Sequence, residues 1–166
     1  TMGGVDTGNY TLRTLIELTK SEYAKTCLFT VVIGSSYPHT DALHEFVEET
    51  KLRISVLSNV KNMAEIMSKS DLCVGAGGST SWERCCLGLP TISFAIADNQ
   101  IEIAEQLSQK KVAIFSDLSN LIIDFERFFD ILGIELQRSL STNSHQSCDG
   151  LGVPRVLGEL EKKFEN

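Results

Sequence analysis

Apolar residues come along this chain in two rhythms that take turns. Short β-rich runs, Cys27 to Ile33, Arg53 to Leu57, Leu72 to Val74, Thr91 to Phe94 and Val112 to Phe115, predict five strands. Between them the apolar positions fall at helical spacing. Leu12, Leu15 and Ile16 follow a capping Asn9; Leu43, Phe46 and Val47 follow Asp41; Met63, Ile66 and Met67 follow Asn62, with Glu65 at the third position. Ile101, Ile103, Ala104 and Leu107 predict another helix, and Leu118 to Phe129 one more. Ser139 to Cys148 reads as a polar loop, and Val156, Leu157, Leu160 and Phe164 as a final amphipathic helix packing back on the sheet. Strands alternating with helices, with Cys27 to Ile33 apolar without a break, imply an α/β fold: a Rossmann-like, doubly wound parallel sheet in one domain spanning 1–166.

The stretch Asp71 to Gln100 organises the rest. A strand stops at Gly75-Ala76-Gly77-Gly78, Ser79 and Thr80 offer hydroxyls to the amides of a new helix, and Trp82, Cys85, Cys86 and Leu89 form its buried face. Gly88 and Pro90 end that helix before the next strand. In a doubly wound sheet ligands bind beyond the carboxyl ends of the strands. Five loops share that edge: Gly3 to Asp6, Gly34 to His39, Ser58 to Asn62, Gly75 to Thr80 and Ala95 to Gln100.

Charge narrows the ligand. A net charge of -7 argues against a nucleic-acid or anionic-membrane surface, whereas turn amides and a helix dipole hold a small anion without bulk positive charge. The five cysteines are odd in number and mostly sit inside apolar runs, so they read as reduced residues of a cytoplasmic protein. No run approaches the length of a membrane span, no grouping has metal-ligand spacing, and no cofactor is implied. A glycine pair at Gly3-Gly4 with almost nothing before it suggests a fragment of a longer protein.

Several residues carry two readings. The turn Gly75 to Thr80 is either a phosphate cradle or a tight connection whose glycines supply positive φ. Glu83 either completes a capping box with Thr80 or accepts two ribose hydroxyls. Asp98-Asn99-Gln100 either cap a helix or face a sugar. His39 is the one histidine on the ligand edge and reads as solvated; His44 and His145 read as surface residues, and Trp82 as core rather than a stacking platform.

Four segments, GGVDTGNYTLRTL, NMAEIMSKSDLCVGAGGSTSWERCCLGLP, ADNQ and DGLGVPRVL, together resemble the UDP-2,4-diacetamido-2,4,6-trideoxy-β-L-altropyranose hydrolases of pseudaminic acid synthesis. That family is similar in turn to the GT-B glycosyltransferases, among them the N-acetylglucosaminyltransferase of peptidoglycan synthesis. The resemblance implies the C-terminal, UDP-binding half of a two-domain enzyme, with the catalytic base in a missing N-terminal domain and this half inert alone. It implies uracil recognition by main chain from Val60 through Met63, ribose binding by Glu83, and phosphate binding by Gly78, Ser79 and Thr80. Gly3 and Gly4 would line the cleft near the diphosphate. Asn99 and Gln100 would face the sugar, with Asn99 the local candidate for orienting water or sugar. A UDP-sugar is then the substrate and hydrolysis the expected reaction. A GT-B glycosyltransferase half and a non-enzymatic α/β module are the alternatives.

Overall fold

Every strand pair in the structure is parallel, as apolar runs separated by helices require. The structure, a computed structural model, describes residues 1–164, so the last two positions of the expected 1–166 span lie outside the described residues. The chain runs α1 (Tyr10–Leu18), β1 (Leu28–Ile33), α2 (Thr40–Glu49), β2 (Arg53–Ser58), α3 (Met63–Ser68), β3 (Cys73–Ala76) and α4 (Thr80–Cys86). It continues through β4 (Thr91–Phe94), α5 (Ile101–Gln109), β5 (Ile114–Ser116), α6 (Leu121–Phe129), α7 (Gly133–Ser147) and α8 (Gly152–Phe164). Instead of one sheet the strands form two groups, β1-β2 and β3-β4-β5. Thr1 and Met2 lie at the seam: the Thr1 nitrogen donates to Val74 O at 3.0 Å, and Met2 is buried in the main core with Leu18, Ile92, Phe94 and Phe125. A second core, Leu15, Val31, Ile33, Tyr37 and Leu43, sits beside β1.

Local chemistry moved several boundaries. Asn9 does not cap α1; it adopts φ 53°. Asp6 takes the role, its two carboxylate oxygens accepting the Tyr10 and Thr11 amides at 2.8 Å each. That turn in the chain frees Asn9 Oδ1 to accept the Tyr37 hydroxyl. Asn62 does cap α3, accepting Glu65 N–H at 3.2 Å, although Glu65 answers the Asn62 side chain rather than its amide. Asp117 gathers the Ser119 and Asn120 amides, so α6 starts at Leu121 and not at Leu118.

The C-terminal third departs most from expectation. Of the expected loop Ser139 to Cys148, all but the extended Cys148 is helix, because its small polar residues permit close packing: Ser144 is buried and donates to Val112 O, and Asn143 donates to Lys111 O. Gly88 is where α7 crosses α4; a Cβ there would lie 2.3 Å from His145 Nε2 and 2.8 Å from Ser141 Oγ. The final helix forms but does not pack on the sheet, for Val156, Leu157, Leu160 and Phe164 are all exposed. Among the described residues no helix is long and apolar enough to cross a membrane.

Tyr37 gives the fold a pH signature. Burial, and after it the Asp6 carboxylate, push its phenol up to about 12 from an ordinary value near 10. A folded-state value above the unfolded one contributes stability in full below pH ~10 and loses it as pH rises to ~12, since the unfolded chain gives up its proton first. Urea midpoints should therefore fall across that window, and Tyr37→Phe should remove this part of the slope.

Candidate functional site

Parallel strands place the loops that follow β1, β2, β3 and β4 on one edge, and backbone contacts tie these loops together. Gly34, at the end of β1, has no room for a side chain: a Cβ would stand 1.9 Å from Gly4 O. The segment before α1 is also held by His39 Nε2, 3.0 Å from Thr7 O. On the other side Ala76 N–H donates to Thr1 O at 3.1 Å and Gly77 N–H to Phe94 O at 2.8 Å. Thus Gly3 and Gly4 lie between the loop after β1 and the glycine turn after β3, and that turn adjoins the end of β4. Gly3 and Gly4 are both exposed on this edge, and Gly3 has φ +89°.

Positive φ does not explain the glycine turn, since Gly75, Gly77 and Gly78 all lack it. Gly75 is crowded by Thr1 O and Arg84 Nη1, and Gly77 by Ser93 Oγ and Phe94 O. Gly78 has nothing within 4 Å of where its Cβ would be. The expected side-chain caps are also absent: Ser79 and Thr80 hydroxyls do not cap α4, which closes through Ser81 N–H to Gly78 O and Trp82 N–H to Ser79 O. Among the described residues nothing accepts the backbone N–H groups of Gly78, Ser79 and Thr80. Three such donors around a glycine suit an anion's oxygens.

The inner face of α4 is Ser81, Arg84 and Cys85, and Trp82 is 48% exposed rather than core. Sequence spacing missed Arg84, which is 2% exposed. Its Nη2 donates to Ala76 O at 2.7 Å and to Ser81 Oγ at 2.9 Å, and Nη1 reaches Cys73 Sγ at 3.5 Å. Three polar acceptors converging from β3 and α4 outweigh what an apolar side chain would gain there, and Trp82 is turned outward. The signal in the sequence was Ser81 three residues before an arginine on the same helical face. Among the described residues no carboxylate pairs with Arg84, so a positive charge sits beneath the glycine turn.

Glu83 is exposed and makes no capping-box hydrogen bond among the described residues, so its carboxylate is available beside the turn. Asp98, Asn99 and Gln100 form a 3₁₀ turn ahead of α5 without a side-chain cap. Asn99 is exposed, while Gln100 turns back, its Oε1 accepting Ile96 N–H at 3.1 Å. Val60 and Met63 flank the Asn62 cap after β2; both are half-buried, and Met63 also lines the groove between the sheets. No group of three His, Cys, Asp or Glu among the described residues is placed to hold a metal.

Residues 2–124 match the glycosyltransferase family 28 C-terminal domain. The spore coat polysaccharide biosynthesis protein SpsG of Bacillus subtilis is 26% identical over 138 residues, covering 81% of this chain and 40% of that protein. The UDP-N-acetylglucosamine--N-acetylmuramyl-(pentapeptide) pyrophosphoryl-undecaprenol N-acetylglucosamine transferase of Campylobacter fetus is 35% identical over 88 residues, 42% of this chain and 26% of that enzyme. MurG of Acinetobacter baumannii shares the fold, with a TM-score of 0.75 at 18% identity over 98% of this chain and 48% of that one. The chain thus spans less than half the length of each. These matches overturn the expected hydrolase: the family is one of glycosyltransferases, the Campylobacter relative is a transferase, and none of these names carries hydrolysis or pseudaminic acid.

Proposed function

Since the chain belongs to the glycosyltransferase family 28 C-terminal domain family, we propose that it is the nucleotide-sugar-binding half of a GT-B-type transferase that builds a surface polysaccharide from a UDP-sugar. The observation that carries this reading is the edge where Gly4, Gly34 and the glycine turn meet, with three free amides and a buried guanidinium beside an open carboxylate. In this reading the amides of Gly78, Ser79 and Thr80 take the diphosphate, and Gly3 and Gly4 close on it from the opposite side. Glu83 accepts the ribose hydroxyls. Main chain from Val60 to Met63 meets the uracil, and Asn99 with the amide nitrogen of Gln100 orients the sugar.

The chemistry follows from where charge develops. An acceptor hydroxyl attacks the anomeric carbon, the bond to UDP breaks, and fixed amides stabilise the negative charge growing on the leaving diphosphate. The acceptor and its general base belong to the N-terminal half of the full-length protein, so residues 1–166 bind without turning over. Full-length protein given a UDP-sugar and a lipid-linked or saccharide acceptor should yield glycosylated acceptor and UDP. Free sugar in place of acceptor product would overturn the transferase reading.

Glu83→Gln separates recognition from folding. The side chain makes no internal hydrogen bond, so the thermal midpoint should hold while UDP affinity falls about tenfold, the worth of a charge-assisted pair. Titration calorimetry of UDP into the two proteins reads the affinities directly, and equal values would leave Glu83 without a role in ribose binding.

A further inference from the structure

α4 ends at Cys86, and α7 ends at Ser147 with Cys148 following in extended backbone at φ -149° and ψ 111°. Their thiols meet: Cys86 Sγ lies 3.2 Å from Cys148 Sγ, although 62 residues separate the two in the chain. Both residues are half-buried. α4 and α7 pack on each other, with His145 against Gly88, and that crossing brings the two helix ends together.

The corner after Cys148 is shaped around the pair. Gly150 has φ +74°, and a Cβ there would stand 3.6 Å from Cys86 Sγ, so the chain turns directly over that thiol before α8 begins. The Asp149 carboxylate holds the turn, accepting Leu151 N–H at 3.0 Å and Arg155 Nη1 at 3.1 Å. Cys85, next in the chain, is 2% exposed and takes no part: burial above all pushes its thiol up to about 11, and it stays protonated. Metal binding does not account for the pair, since among the described residues no three His, Cys, Asp or Glu are placed to hold an ion.

We propose that Cys86 and Cys148 form a modification site, a dithiol that small-molecule disulfides oxidise to a reversible cross-link between α4 and the corner joining α7 to α8. The reaction is thiol–disulfide exchange. A thiolate of the pair attacks one sulfur of the small disulfide, forming a mixed disulfide and releasing one small thiolate. The other cysteine's thiolate then attacks the protein sulfur of that bond, and the second small thiolate leaves. In all, the two cysteines lose two protons and two electrons, and the small disulfide becomes two thiols. Closing 3.2 Å to a bond of about 2 Å takes about 1.2 Å of movement, which the extended residue at the end of α7 can supply. The proposal does not rest on nucleotide binding.

Oxidised glutathione, added to folded residues 1–166, tests it. The hydrogen bond with Cys148, and burial after it, push the Cys86 thiol up, so the exchange is run in mildly alkaline buffer where thiolates form. The chain should lose two of its five thiols and the mass of two hydrogens, yield a peptide joining Cys86 to Cys148, and recover all five thiols with dithiothreitol. The cross-linked form should melt roughly 5–10 °C higher, as closing a long loop predicts. Cys86→Ser should stop at a glutathione adduct on Cys148, whereas Cys85→Ser should cross-link like the parent chain. Five intact thiols, glutathione adducts alone on the parent chain, a link from Cys85 to Cys148 or a lower melting midpoint would overturn the site.

Discussion

Arg84→Leu should be the most damaging single substitution described here, lowering stability by about 2–4 kcal/mol in urea denaturation. Two opposed effects set the cost. Removing a buried charge relieves its desolvation, and swapping a whole buried ion pair for apolar residues is often neutral. Here the acceptors stay behind: Ala76 O and Ser81 Oγ lose the guanidinium and leucine offers no donor. Arg84 Nε itself has no partner, so only part of the fork is engaged, which keeps the cost moderate. Arg84→Lys should recover little, because an ammonium cannot serve Ala76 O and Ser81 Oγ with the same fork. An unchanged or higher urea midpoint for Arg84→Leu would mean that the guanidinium is a net burden to the fold.

Gly34→Ala should separate the two halves of the site. Its Cβ would lie 1.9 Å from Gly4 O and 2.6 Å from Gly4 C, atoms of backbone with no rotamer to change. The segment Gly3-Gly4 must move, at a cost of about 1–3 kcal/mol, the usual range for overpacking. With it moves one wall of the proposed diphosphate site, so UDP affinity should fall by about tenfold or more. Gly78→Ala is the contrasting case. Nothing lies within 4 Å of its Cβ position, so stability should hold and any loss of UDP affinity reports the approach of ligand to that backbone. Tight UDP binding by Gly34→Ala would detach Gly3 and Gly4 from the site.

What the sequence revealed follows from which forces are local. The runs at Leu28–Ile33 and Thr91–Phe94 and the cap at Asn62 were legible because strand burial and capping are written in neighbouring residues. Asn9 misled because Asp6, three residues earlier, offered two carboxylate oxygens in place of one amide oxygen. Ser139 to Cys148 was unreadable as helix because its stabilising contacts, Ser144 to Val112 and Asn143 to Lys111, come from 32 residues away. Trp82 was misplaced and Arg84 overlooked for the same reason: hydrophobicity placed tryptophan inside, while the acceptors that draw arginine inward belong largely to β3. The site was legible as a set of loops, and the free amides of the turn were read from its glycines, whereas the hydroxyl caps expected of Ser79 and Thr80 did not form, because α4 closes through the backbone of Gly78 and Ser79 instead.

The central claim is that backbone amides after β3, with Glu83 beside them, bind the diphosphate and ribose of UDP. Titrating UDP into residues 1–166 by calorimetry tests it most directly. Binding of micromolar to millimolar order is expected from a half-site, with uridine alone much weaker because it lacks the phosphates. Heat indistinguishable from a buffer blank, or equal affinity for uridine and UDP, would contradict it.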